Sequence, residues 1–247
     1  MSMAGCLAVA QTIPVRGDVT TNLEQHLRLA GVARAAGAGL LIFPELSLTG
    51  YELDLAERLA FAPDDERLAP LVDAAASSSM ILIAGAPVRL DGRLHIAAFI
   101  ISPDGTIALY TKHHLGAFSD SARADGVVPP AEATFFQAGD RNPLIRLGDA
   151  TVAMAVCADT GRPAHPRAAA ERGAERETAN LGGYAVEHSM LVAFANYGGR
   201  SGGLASAGRS GIWSPDGEPI AQLGPTGGGI ALALEDRGGW RGRAIPV

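Results

Sequence analysis

The chain has 247 residues, 47% of them hydrophobic and 19% charged, so it carries enough apolar surface for a substantial core and is not a disordered polymer. A net charge of −6, with no basic cluster interleaved with aromatics, excludes a nucleic-acid surface and a polybasic membrane patch. Two cysteines, Cys6 and Cys157, make no disulfide framework and fit a reducing cytoplasm; no signal-peptide pattern and no apolar run of membrane-spanning length is expected.

In chain order, Cys6 to Ile13 reads as a strand ended by Pro14 and Gly17. A helix follows from about Asn22, with Leu23, Leu27 and Ala30 on one face, ending near Gly37 and Gly39. Leu40 to Phe43 is a buried strand stopped by Pro44-Glu45. Pro63 and the acidic Asp64-Asp65-Glu66 open a second helix running through Leu68, Leu71, Val72 and Ala75, and Met80 to Val88 is another strand. Leu94–Ser102 and Thr106–Thr111 form a hairpin around Pro103-Asp104-Gly105, with Lys112 at its end, and an irregular stretch follows from His113 to Arg141. A second hairpin, Leu144–Leu147 and Thr151–Val156 around Gly148-Asp149, delivers Cys157. A short helix is expected from about Pro166 to Glu171, closed by Gly173. Met190–Ala195, Ile212–Ser214 and Ile230–Leu234 are further strands, and the glycine-rich tail from about Gly238 reads as an arm or loop. Strands mixed with helix crossovers and no linker predict one α/β domain, 1–247, with sheets covered by helices in layers.

Glu45, Lys112 and Cys157 share one setting: each is a chemically capable residue where an apolar strand emerges, the usual place for sites in layered α/β folds. Taken singly, each has a plain structural reading: a capping carboxylate, a solvated strand-end lysine, a small side chain in the core. Cys157 at a strand-to-helix junction would face the positive end of a helix dipole, which favours thiolate. Spacing alone does not show that the three meet.

Phe43-Pro44-Glu45-Leu46 with Thr49-Gly50-Tyr51, Tyr110-Thr111-Lys112-His113-His114-Leu115, and Val156-Cys157-Ala158-Asp159 with Pro163 resemble, in order, the three catalytic blocks of the nitrilase superfamily of carbon–nitrogen hydrolases. Glu132, seven residues before Gly139-Asp140, is similar to the family's second glutamate, and Ala195-Asn196 and Gly208-Arg209-Ser210 resemble its late strand and loop. The resemblance implies a four-layer α-β-β-α sandwich, in subunits that pair as homodimers or higher homo-oligomers. It also implies a cofactor-free, metal-free hydrolysis of a small amide, ω-amide or N-carbamoyl substrate through a thioester. Cys157 would be nucleophile, Glu45 general base, Lys112 with the Ala158 N–H oxyanion donors, Glu132 the partner of Lys112, and Tyr51 a pocket residue. Between Arg176 and Tyr184 the chain departs from the family pattern, and a strand and loop are expected to be missing there.

Three other readings compete. A metal hydrolase would use His113, His114 and His165, but adjacent histidines on a strand point to opposite faces; His114 reads as a structural hydrogen-bond partner. A serine hydrolase would use Gly199-Arg200-Ser201-Gly202-Gly203, but needs a following helix and a later histidine, and the last is His188. A catalytically inert relative, serving as a binding or assembly module, would keep the fold alone.

Overall fold

The computed structural model describes residues 6–117, 130–161, 181–236 and 239–247. The predicted helix at 166–171, His165, Pro163 and the stretch 175–180 lie outside the described residues.

The first strand, β1 (Cys6–Thr12), is buried along its whole length. Helix α1 (Val19–Ala35) starts three residues earlier than the apolar spacing predicts, because Asp18 caps it, accepting from the Thr21 N–H at 3.0 Å. Its buried face is Asn22, His26, Leu29, Ala30 and Ala33, with Leu23 and Leu27 only partly covered. Two polar residues occupy that face because they bind loops. Asn22 Nδ2 donates to the carbonyls of Val15 and Leu48, and His26 bonds both the Asn22 carbonyl and Ser47 Oγ.

After β2 (Leu40–Ile42) come α2 (Ala56–Leu59) and α3 (Ala69–Ser78). The acidic trio does not sit in the first turn of α3. Asp65 instead folds a short 3-10 turn, accepting from the N–H groups of Ala62 and Arg67. Strands β3 (Ile81–Leu90) and β4 (Arg93–Ile101) join through Asp91-Gly92, both with positive φ, the geometry of a two-residue primed turn. Then follow β5 (Ile107–Thr111), β6 (Ile145–Leu147), β7 (Ala150–Val152), α4 (Leu181–His188), β8 (Val192–Phe194), β9 (Asn196–Tyr197), β10 (Arg200–Ser201), β11 (Leu204–Ala205), β12 (Gly211–Trp213), β13 (Pro219–Gln222), β14 (Gly229–Asp236) and β15 (Gly239–Pro246).

The large sheet runs β15-β14-β1-β2-β3-β4-β5, with β9 alongside β1. A second sheet runs β13-β12-β8. Alternation along the strands sorts side chains into layers. Cys6, Ala8 and Ala10 face α1 and α3, whereas Leu7 and Val9 face the second sheet. In that sheet Ala193 and Ile212 point inward, while Val192 and Trp213 point outward onto Ala185 of α4. The result is an α-β-β-α sandwich.

One expectation needs correction. The tail is an edge strand rather than a loop, paired with β14 from Gly229↔Pro246 to Asp236↔Gly239. Exposed Arg241 and Arg243 hide its strand character, and Gly242 is required because a Cβ there would lie 1.7 Å from the Ile220 carbonyl oxygen. At the end of the stretch expected to have lost a strand and loop, Leu181–His188 forms the outer helix α4. Gly182-Gly183 weakens the helix signal, yet Gly182 lets the turn at Gly217 approach closely.

Burial holds the His26 imidazole down to about 4, from 6.5. A depressed folded value means stability is intact above the unfolded pKa and is lost as pH falls toward the folded one. Between pH 6.5 and 4 the fold is expected to lose roughly 3 kcal/mol through this residue. Chemical denaturation across that range checks it: His26→Gln should flatten the slope, and an unchanged slope would overturn the assignment.

Candidate active site

Glu45 stands on a tight turn at the end of β2. The next residue, Leu46, has φ 52°, and the turn lies against Gly85 of β3, where a Cβ would sit 2.4 Å from the Leu46 nitrogen. A glycine is therefore needed to seat Glu45. The Ser47 hydroxyl, bonded to His26, accepts from the Gly85 N–H at 3.2 Å, and the Tyr197 hydroxyl donates to the Glu45 carbonyl.

Lys112 follows β5 and is completely buried. Its N–H donates to the Ile96 carbonyl at 2.8 Å, and its own carbonyl accepts from Gly139 at 2.8 Å. Nζ lies 2.6 Å from Glu45 Oε1 and 2.7 Å from Glu132 Oε1. Glu132 opens a 3-10 turn and is buried; its Oε2 accepts from the Gly116 N–H at 2.6 Å, and the Tyr51 hydroxyl donates to Oε1. Glu132 is thereby fixed from three sides.

Cys157 starts a five-residue 3-10 turn, Cys157–Gly161, immediately after a buried run from Ala153 to Val156. Its φ of 48° is unusual for a residue with a Cβ and turns the residue outward from the core. Its sulfur and carboxylate oxygens of Glu45 and Glu132 all lie within 4.8 Å of one another. Ala158 comes next in the same turn, partly buried, and Tyr51 lines the cavity beside Cys157. The structure thus brings together Glu45, Lys112, Glu132 and Cys157, the four candidates read from the sequence.

The electrostatics differ from the dipole expectation. The Cys157 thiol is pushed up to about 12, first by the Glu45 carboxylate and then by burial, with Lys112 only partly offsetting them. A nearby negative charge outweighs any benefit from a helix end. Burial also raises Glu45, against the pull of Lys112. For Lys112 burial works against the charge, but Glu45, the Cys157 sulfur and Glu132 hold its pKa above the ordinary lysine value. These directions favour the thiol over the thiolate and keep the ammonium in its charged form, with the Glu45 carboxyl beside the sulfur.

Asp159 was not singled out by sequence reasoning. It is completely buried and accepts from the Tyr110 hydroxyl (2.7 Å), the N–H groups of His113, His114 and Val156 (3.1, 2.7 and 3.1 Å), and His114 Nδ1 (3.0 Å). One carboxylate ties the cysteine turn to the chain just beyond Lys112. The only sequence signal was its place two residues after Cys157. His114 is a structural partner, and His113 stacks on Tyr110. Ser201, the serine of the G-x-S-x-G match, accepts from the Tyr51 N–H at 2.7 Å and lies in the β10–β11 hairpin, with no helix after it. Among the described residues the carboxylates that could hold a metal are Glu45 and Glu132, and the Lys112 ammonium bonds both.

A thiol, two carboxylates and a buried ammonium gathered in such a sandwich are the arrangement that the resemblance to the nitrilase superfamily implies. The sequence model for carbon–nitrogen hydrolases matches residues 6–243, and the chain belongs to that family. It is 32% identical to a hydrolase encoded in the pqqF 5′ region of Pseudomonas protegens, over 88% of this chain and 78% of that protein. It is 27% identical to a glutamine-dependent NAD(+) synthetase from Rhodobacter capsulatus, with 98% of this chain aligned to 45% of that protein; the chain spans less than half the synthetase's length. A cysteine-to-serine variant of an amidase from Nesterenkonia sp. AN1 superposes with a TM-score of 0.80 at 25% identity, covering 93% of this chain and 90% of the other.

Proposed function

We propose that this protein hydrolyses a small carboxamide through a thioester on Cys157, within one domain spanning the chain. As the sulfur attacks the carbonyl carbon, Glu45 takes the thiol proton, because a thiol held at about 12 supplies no standing thiolate at neutral pH. Negative charge develops on the carbonyl oxygen, where the Lys112 ammonium and the Ala158 N–H would receive it. The tetrahedral species collapses, the C–N bond breaks, and Glu45 returns its proton to the leaving nitrogen, which departs as ammonia. Glu45 then accepts a proton from water as its oxygen attacks the thioester; the S–C bond breaks and the thiol is restored with release of the carboxylic acid. Glu132 holds Lys112 in place throughout.

The observation that carries this reading is the ammonium 2.6 Å from Glu45 within a cluster that also contains the Cys157 sulfur. A binding or assembly module would gain nothing from three ionisable groups buried against a thiol, since desolvating them is costly.

Acid quench during turnover of a carboxamide, followed by peptide mass spectrometry, tests it. The expected result is an acyl adduct on the peptide carrying Cys157 and none on that carrying the buried Cys6. Ammonia release with no adduct at Cys157 under conditions of slowed deacylation, or no ammonia from any amide, would sink the reading.

A further inference from the structure

We propose that the acyl half of the substrate is uncharged and apolar, and longer than acetyl, so that amides bearing a distal carboxylate or zwitterion are excluded. This rests on the carboxamide reading and specifies its substrate.

The cavity beside Cys157 measures about 380 Å³, in the range of pockets that hold ligands well beyond acetamide. Much of its wall is apolar, including Ile42, Ile83, Met154, Phe194 and Leu204. Its polar side chains are already engaged. The Tyr51 and Tyr197 hydroxyls donate to Glu132 and to the Glu45 carbonyl, and Thr160 Oγ1 donates to the Cys157 carbonyl. Asn196 donates to the Gly208 carbonyl and accepts from the Tyr197 N–H and Ser206 Oγ, and Ser201 Oγ accepts from the Tyr51 N–H.

Among the described residues lining the cavity there is no arginine, lysine or histidine, and the single carboxylate is Glu45. Behind that wall, two carboxylates face one ammonium, so the cluster carries a net negative charge when Glu45 is ionised. Against the described wall a substrate carboxylate would lose its water and meet apolar side chains and the like charge of Glu45. An alkyl or aryl group would lose nothing and bury its surface.

Two matched measurements test this. With the intact wild-type protein, kcat/KM is expected to rise roughly fourfold per methylene from acetamide to hexanamide. It should stand about 100-fold or more above the values for adipic acid monoamide and glutamine. With Cys157→Ala, calorimetric titration should show hexanamide binding and the monoamide binding far more weakly. The inference is overturned if the monoamide or glutamine binds Cys157→Ala as well as hexanamide does, if neither amide binds, or if wild-type turnover favours the charged amides. If the binding order holds while the wild-type protein turns over no amide, the hydrolytic reading fails and the assignment of the cavity stands.

Discussion

Replacing Cys157 with glycine is expected to lower kcat on a carboxamide by roughly 10⁴–10⁶ while raising the melting temperature by about 2–4 °C. The activity loss follows from removing the nucleophile, since no other group at the site can form the covalent intermediate. The stability gain follows from backbone geometry. At φ 48° a residue with a Cβ sits in the left-handed region, at a cost of about 1–2 kcal/mol, which glycine does not incur. Glycine's greater freedom in the unfolded chain offsets about 0.5–1 kcal/mol of this. Cys157→Ala separates the two effects: it should be as inactive as the glycine variant but keep the wild-type melting temperature within about 1 °C. Thermal unfolding of the three proteins, with kcat measured alongside, checks both parts. A glycine variant melting below the alanine variant would show that the turn is not strained.

Lys112→Met should reduce kcat by about 10²–10³, the usual cost of removing an oxyanion donor. It should also destabilise the fold by about 3–5 kcal/mol near neutral pH, because it leaves two buried carboxylates facing each other. The pH dependence identifies the cause. Burial and the Glu132 charge already raise Glu45, and removing the ammonium that opposes them raises its folded-state pKa further above the unfolded value. The variant is then least destabilised at low pH, where Glu45 holds a proton, and stability is lost as pH rises through the raised value. Adding Glu132→Gln should restore much of the stability and none of the activity. Urea denaturation from pH 4 to 8 reads this directly. A Lys112→Met protein as stable as wild type at neutral pH would mean that the two carboxylates are not held by this ammonium.

How much of this was legible in the sequence depended on whether a signal was local. Glu45, Lys112 and Cys157 could be read because each follows a short apolar run, although the run before Cys157 is strand only as far as Val152 and not to Val156 as expected. Their order along the chain carried the family resemblance, and with it Glu132. Asp159 could not be read for its role, because four of its five bonds come from Tyr110, His113 and His114, all more than 40 residues away. His26 carries no local signal of its place in the core, because its partners are Ser47, 21 residues away, and the Phe43 ring at 4.0 Å. The start of α1 was encoded locally in Asp18 but is invisible to apolar periodicity. Gly182-Gly183 in α4 and Gly242 in β15 argue against regular structure by propensity, and tertiary contact overrode both.

The β10–β11 hairpin is held at its turn and again where the chain leaves it, Ser206 Oγ donating to Asn196 Oδ1 at 3.0 Å. Tyr51 N–H donates to Ser201 Oγ, Gly202 N–H donates to Glu52 Oε1 at 2.8 Å, and Gly202 packs on the Tyr51 carbonyl. Leu204, Ala205 and Ser206, which follow the turn, form part of the cavity wall. One side of the cavity is thus carried by a short hairpin separate in sequence from Glu45, Lys112 and Cys157, so exchanging residues between Gly203 and Ser206 is expected to reshape that side without altering the chain segments that bear those three.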